Sequence, residues 1–281
     1  MVRGDGLHII FTKGIYAHLL GSILHYLCWF DPLGTSQAVK PSQRLNIIFA
    51  EIQKQYKQQG SGTQLTNLRI SMFTNEKAPH QQHAFLDAKG GECKWLAPAL
   101  LQVMKKMLEK SMRNCHSHMI NALESLVQLV FLWDKAGPFL TEGEFLMSMS
   151  LATTFLQEYT WLNNWAQYED RKLFHKVMKF HQFIHLVQNS WCLNPRYHWC
   201  FKSEDFVSHC ARIGHSVSMG VAAPKLSTKI MPKYRILLHL LLSREGFTLE
   251  PWKIRYGLGE QSLCEKRQSS LCGTLENKVW P

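Results

Sequence analysis

The chain has 281 residues, of which 46% are hydrophobic and 19% charged, with a formal net charge of +11. That apolar content excludes a wholly disordered chain, and ordinary glycine (17) and proline (10) counts exclude collagen-like and low-complexity chains. The length allows one large domain or two small ones, and the basic balance favours anionic partners, nucleic acid first and a membrane surface second.

Taken in chain order, the apolar stretch Ile9 to Phe30 reads as a helix with apolar residues on most sides. It is long enough to span a bilayer, but it carries Lys13, His18 and His25 and lacks a cleavage site of the signal-peptide kind. A buried core helix is therefore expected, and no membrane partner. Asp31-Pro32-Leu33-Gly34 turns the chain, and Pro41-Ser42 opens a second helix, Gln43 to Gln58, closed by Gly60-Ser61-Gly62. Leu65 to Phe73 is the best short strand or extended segment. Helices are expected at Glu92–Lys110, with Pro98 in its first turns, and at His116–Trp133. Thr141-x-x-Glu144 has the spacing of a capping box for a helix running to about Trp165. A further helix is expected from Glu169 to Asn189, with Leu173, Val177, Phe180, Ile184 and Leu186 as its core face. Tyr197 to Lys202 is a short aromatic strand candidate, Ser203 caps a helix to about Ile213, and Lys225 to Ser243 is the last strong helix.

The result is a mainly α protein, a helical bundle with two or three short strands. It falls into residues 1–62 with the first two helices, a mainly helical core at 63–243 with a strand near 197–202, and a poorly structured tail at 244–281. The eight cysteines include no C-x-x-C pair and are irregularly spaced, as expected of reduced thiols in an intracellular protein.

Four constellations could carry chemistry. His181-x-x-x-His185, with His175 before it, has the helical spacing of a metal pair, and Cys192, His198, Cys200, His209 and Cys210 follow. There is no H-E-x-x-H, however, and among fourteen histidines a packed or capping pair is the commoner outcome. Glu204, in Phe201-Lys202-Ser203-Glu204, stands where an aromatic strand would meet a helix, a place for a capping acid or a ligand to Mg²⁺ or Mn²⁺. Asp5-x-x-His8 precedes the apolar helix. Lys225, Lys229 and Lys233 recur at helical spacing beside Arg235, as a phosphate-binding stripe or a solvated face would.

Several of these signals occur in an order that resembles the C-terminal half of RNase H-like DDE transposases, the CACTA/En-Spm group in particular. Asp5-Gly6-Leu7-His8 followed by Gly14-Ile15-Tyr16-Ala17-His18-Leu19-Leu20 is similar to that group's D-x-x-H and G-V-x-x-x-L-L segment. Ala88 to Trp95 is similar to the segment that opens its helical insertion, and His118–Trp133 with Thr141–Trp161 to the paired helices after it. Lys179 to Leu186 resembles a K-x-H-x-x-x-H segment, and Phe201-Lys202-Ser203-Glu204 an R-F-E motif that would carry the last acid of the catalytic set.

The resemblance implies a helical insertion beside an incomplete RNase H-like sheet. It also implies Glu204 as a remnant catalytic acid, with Asp5 and His8 as weaker candidates. Such enzymes hold two divalent ions between three carboxylates, and the first two acids would lie upstream of the segment seen here. A competent transposase is therefore not expected. No cofactor is expected in this chain itself, with Mg²⁺ or Mn²⁺ only where a site is completed elsewhere. The expectation is a transposase-derived, non-catalytic fragment that binds DNA without sequence preference through residues such as Lys225, Lys229, Lys233 and Arg235, intracellular and nuclear if it does so. A companion chain or a second copy could complete its core. The alternatives are a helical protein-interaction domain and a metal-dependent hydrolase built on His181 and His185.

Overall fold

The computed structural model describes residues 5–30, 39–60, 62–108, 113–191 and 193–199, with 215, 225, 232 and 236 beyond them. The chain divides into two compact units, Met1–Ser203 and Glu204–Pro281. Six α-helices lie in the first unit: α1 Ile15–Trp29, α2 Pro41–Gln59, α3 Gly90–Leu108, α4 Asn114–Lys135, α5 Glu142–Tyr168 and α6 Met178–Gln188. The protein is mainly helical, and no β-strand is present among the described residues.

Helix α1 is the centre of the fold. Apolar residues on every side leave it no solvated face, and Ile15, Leu19, Leu20, Ile23, Leu24 and Leu27 are all fully buried. A π-helical turn, Leu7–Phe11, precedes it, and Lys13, at φ 51°, breaks the two apart. Leu7–Trp29 is long and apolar enough to cross a membrane, but 78% of it is buried inside the protein. Helices α2 and α3 pack on α1 and on each other, and α4 with α5 forms the most extensive helix pair.

The capping signals explain the boundaries. Pro41 opens α2, where the Gln43 carboxamide accepts the Lys40 N–H at 3.1 Å, and Gly60 closes it in the left-handed region at φ 60°. Thr141 and Glu144 form the expected reciprocal box at the start of α5: Thr141 N–H donates to Glu144 Oε2 at 2.8 Å, and Glu144 N–H to Thr141 Oγ1 at 3.3 Å. Pro98 lies inside α3, past the first two turns of a helix that begins at Gly90.

Three expectations need correction. No strand forms at 65–73: Leu65, Leu68 and Phe73 are buried as separate anchors, and Ile70–Met72 is a 3₁₀ turn. The facing segment spreads its donors over three neighbours, Ala84 N–H going to Lys172 O. Phe85 N–H reaches Phe73 O and Leu86 N–H reaches Ala17 O on α1, so no ladder develops. Gly21 permits that approach, because a Cβ there would stand 2.6 Å from Leu86 N.

Nor does a strand form around Tyr197, since Pro195–His198 is another 3₁₀ turn and residues 200–202 lie outside the described residues. The helix expected from Glu169 begins only at Met178. Asp170 and Phe174 take positive φ (49° and 51°), which breaks helical continuity. The irregular turn buries Leu173 and Phe174 side by side. Phe174 is fixed there by Ser22 Oγ, which accepts its N–H at 2.8 Å, and by Asn163 Nδ2, which donates to its carbonyl at 2.9 Å.

Candidate anion-binding face

The turn between α5 and α6 reads Arg171-Lys172-Leu173-Phe174-His175-Lys176-Val177-Met178-Lys179. Because Leu173 and Phe174 go inward, Lys172, His175 and Lys176 are forced outward, and all three are exposed. His83 stacks on His175 with ring centroids 4.2 Å apart, its segment held by the Ala84 N–H donating to Lys172 O at 3.1 Å. Lys179 Nζ donates to Thr12 O and Lys13 O, so the end of the π-helical turn brings the exposed Lys13 onto the same face.

This face holds four lysines, Lys13, Lys172, Lys176 and Lys179, with no carboxylate ion pair among the described residues. Elsewhere four lysines are neutralised, while Lys40, Lys57, Lys77, Lys89 and Lys135 stand apart without an ion pair among the described residues. Lys54 and Lys106 both meet Glu51, Lys94 meets Asp134 at 2.6 Å, and Lys105 meets Glu124 at 2.6 Å. Arg171, the remaining cation of the turn, is spent on Glu169 and on the faces of Phe30 and Trp165.

The titrating groups register the positive field. Burial, followed by the charges of His175, Lys179 and His83, holds His18 down to about 4. Burial, then His175 and Lys172, lowers His83, while burial and Lys13 lower Lys179. A surface on which cations depress one another gains free energy when an anion enters.

The sequence candidates fall elsewhere. Asp5 Oδ1 accepts the Leu7 N–H at 3.0 Å and Oδ2 contacts His8 Nδ1, so the carboxylate caps the π-helical turn. His181 and His185 are exposed on α6, their Nε2 atoms 3.1 Å apart and their rings nearly perpendicular. Two imidazole nitrogens at that separation can share one ion, given metal–nitrogen distances of about 2.0–2.1 Å. No group of three histidine, cysteine or acidic side chains placed to hold a metal occurs among the described residues, and His175 lies before α6 rather than on it. Lys225 is exposed, while Glu204, Lys229, Lys233 and Arg235 lie outside the described residues.

Cys28, Cys93 and Cys115 are free, buried thiols, and burial pushes Cys28 and Cys93 up to about 12, so neither serves as a nucleophile. Beside Cys115 runs a buried polar chain. His116 Nδ1 accepts the Arg113 N–H at 3.1 Å, which places the proton of the neutral ring on Nε2. Nε2 then donates to the Tyr26 hydroxyl at 3.2 Å, and that hydroxyl shares a hydrogen bond with Cys115 Sγ at 3.4 Å. This chain fixes the start of α4 against α1.

Comparison of the chain with protein-family models, with curated proteins and with solved structures gives no match.

Proposed function

We propose that this chain is a transposase-derived, non-catalytic helical domain that binds the phosphate backbone of DNA through the face formed by Lys13, Lys172, Lys176 and Lys179, and that it acts in the nucleus. The carrying observation is that four lysines without a carboxylate ion pair among the described residues come together with the His83–His175 pair on that face. The order of motifs that resembles CACTA-type enzymes supports the transposase origin and a helical insertion next to an RNase H-like fold. The Asp5 carboxylate, engaged by Leu7 N–H and His8, supports a non-catalytic reading.

Backbone binding releases counterions, so the logarithm of affinity falls linearly with the logarithm of salt, by about 0.9 per phosphate contact. Substituting two of the exposed lysines, Lys172→Gln and Lys176→Gln, is expected to reduce that slope by about 2 for duplex DNA of any sequence. Lys54→Gln, which removes a cation already paired with Glu51, is expected to leave the slope unchanged. Fluorescence anisotropy across a salt series reads both. Absence of duplex binding at low salt by the unsubstituted protein overturns the proposal.

A second reading, a protein-interaction domain, is favoured by the tip of the α4–α5 hairpin. Phe131, Phe139, Leu146 and Met147 are each more than half exposed there. A partner or second copy of the chain retained at high salt, in a protein without DNA affinity, would select it.

A further inference from the structure

We infer that the outer face of α5 is a stacking platform for unpaired bases, so that the nucleic acid bound here includes a single-stranded stretch. The inference rests on the nucleic-acid reading above and names its substrate class.

An open groove of about 480 Å³ runs along α5, lined by Thr153, Leu156, Gln157, Thr160, Trp161 and Asn164. These positions recur at helical spacing over about three turns, so the groove is about 16 Å long and open at the surface. That shape suits a strand lying along it better than a compact molecule enclosed by it. The floor combines an indole with two hydroxyls and two carboxamides.

Trp161 is held in place rather than loose. The His118 ring lies 3.7 Å from it, tilted by 18°, and Glu158 in turn engages His118 Nδ1. Glu158 is thereby occupied by an imidazole on α4, and Trp161 is fixed before any ligand arrives. An aromatic platform locked by its neighbours loses little entropy when a base stacks on it. The carboxamides of Gln157 and Asn164, exposed on the same stripe, can meet the polar edge of any base.

The groove is joined to the basic face. Lys176 Nζ donates to Thr160 Oγ1 at 2.9 Å, so the wall of the groove and the cationic turn share one hydrogen bond. A strand whose phosphates follow Lys176 and Lys172 would therefore have its bases beside Trp161. Cationic track and aromatic platform side by side form the usual combination for single strands, and stacking serves every base because each has a π-face. In a duplex the bases are stacked on each other and cannot use the platform, which leaves only the lysines to bind it.

The test compares a thymidylate strand of about twelve nucleotides with a duplex of the same length by anisotropy, in the full-length protein. Trp161→Ala is expected to weaken the single strand about tenfold and to leave the duplex within about twofold. Because Trp161 is half-buried, Gln157→Glu supplies an independent variant. It sits at an exposed position, keeps the side-chain size and places a negative charge in the groove, and it is expected to act in the same direction.

Strand affinity unchanged in both variants overturns the platform, as does an equal loss on strand and duplex. In those cases the duplex reading stands. Failure of the unsubstituted protein to bind either probe removes the nucleic-acid reading and the platform with it.

Discussion

Trp133→Ala is expected to cost about 3–5 kcal/mol of folding stability, a large part of what holds a domain of this size together. The indole is fully buried in the last turn of α4. Its N–H donates to Ser148 Oγ on α5 at 3.1 Å, and Ser148 passes its own proton to Glu144 O at 2.8 Å. Its backbone carbonyl accepts Asn194 Nδ2 at 2.8 Å, and the same amide nitrogen reaches Ala136 O and Gly137 O. One residue thus joins α4, α5, the hairpin loop and the turn before Trp199. Truncation leaves a large cavity and a buried hydroxyl without its donor. Trp133→Phe, which fills most of the space but cannot donate, should cost clearly less. Urea unfolding of both variants checks this. A shift in midpoint with an unchanged slope is the expected signature, and a Trp133→Ala shift under 1 kcal/mol would contradict the packing argument.

The helices were legible where local signals and burial agree. Thr141-x-x-Glu144 marks a real capping box, and α2, α4 and α5 carry their apolar positions at the spacing that packs them. The expectations failed where tertiary contacts decide. Arg171 to Val177 has a helical apolar pattern, yet Ser22 and Asn163 capture the Phe174 backbone and hold it at positive φ. The apolar look of 65–73 likewise reflects separate buried anchors, because the 84–87 backbone, which Gly21 lets dock on α1, divides its donors among Lys172, Phe73, Ala17 and Met72 and builds no ladder.

The site was less legible for the same reason. Lys172, Lys176 and Lys179 stood in plain view, and at i, i+4 and i+7 they would share one stripe of the supposed helix, which reads as an ordinary solvated face. What the sequence could not show is the arrival of Lys13 and His83 beside them, from segments about 160 and 90 residues away in sequence. Trp161 gave no signal of its own, because an aromatic residue at helical spacing is ordinarily core. The role proposed for it depends on His118, which the α4–α5 pairing brings to it.

Acidification from pH 7 to about 4.5 is expected to remove about 5 kcal/mol of stability through two histidines of α1. His18 and His25 are both held near 4 against an ordinary value of 6.5, in each case chiefly by burial. His18 lies against Phe85 and is also opposed by His175, Lys179 and His83. His25 packs between Trp29, Phe30 and His80, and His80 supplies its remaining opposing charge. Between pH 6.5 and 4 the unfolded chain binds protons at these two positions and the folded chain does not. Their contribution is therefore complete above 6.5 and lost as the pH falls toward 4. A shift from 6.5 to about 4 is worth about 3 kcal/mol for each group, most of it already gone at 4.5. The interval from 7 to 5 is the one to read, because ordinary carboxylates stay largely ionised there. Unfolding free energies measured by urea across that interval should fall steeply in the unsubstituted protein and much less in His18→Gln/His25→Gln. An equal slope in the two proteins would mean that other groups carry the proton uptake. Since Lys179, which opposes His18 together with His175 and His83, belongs to the proposed anion-binding face, a bound polyanion should raise His18 and reduce the acid sensitivity, which would join the stability of α1 to occupancy of that face.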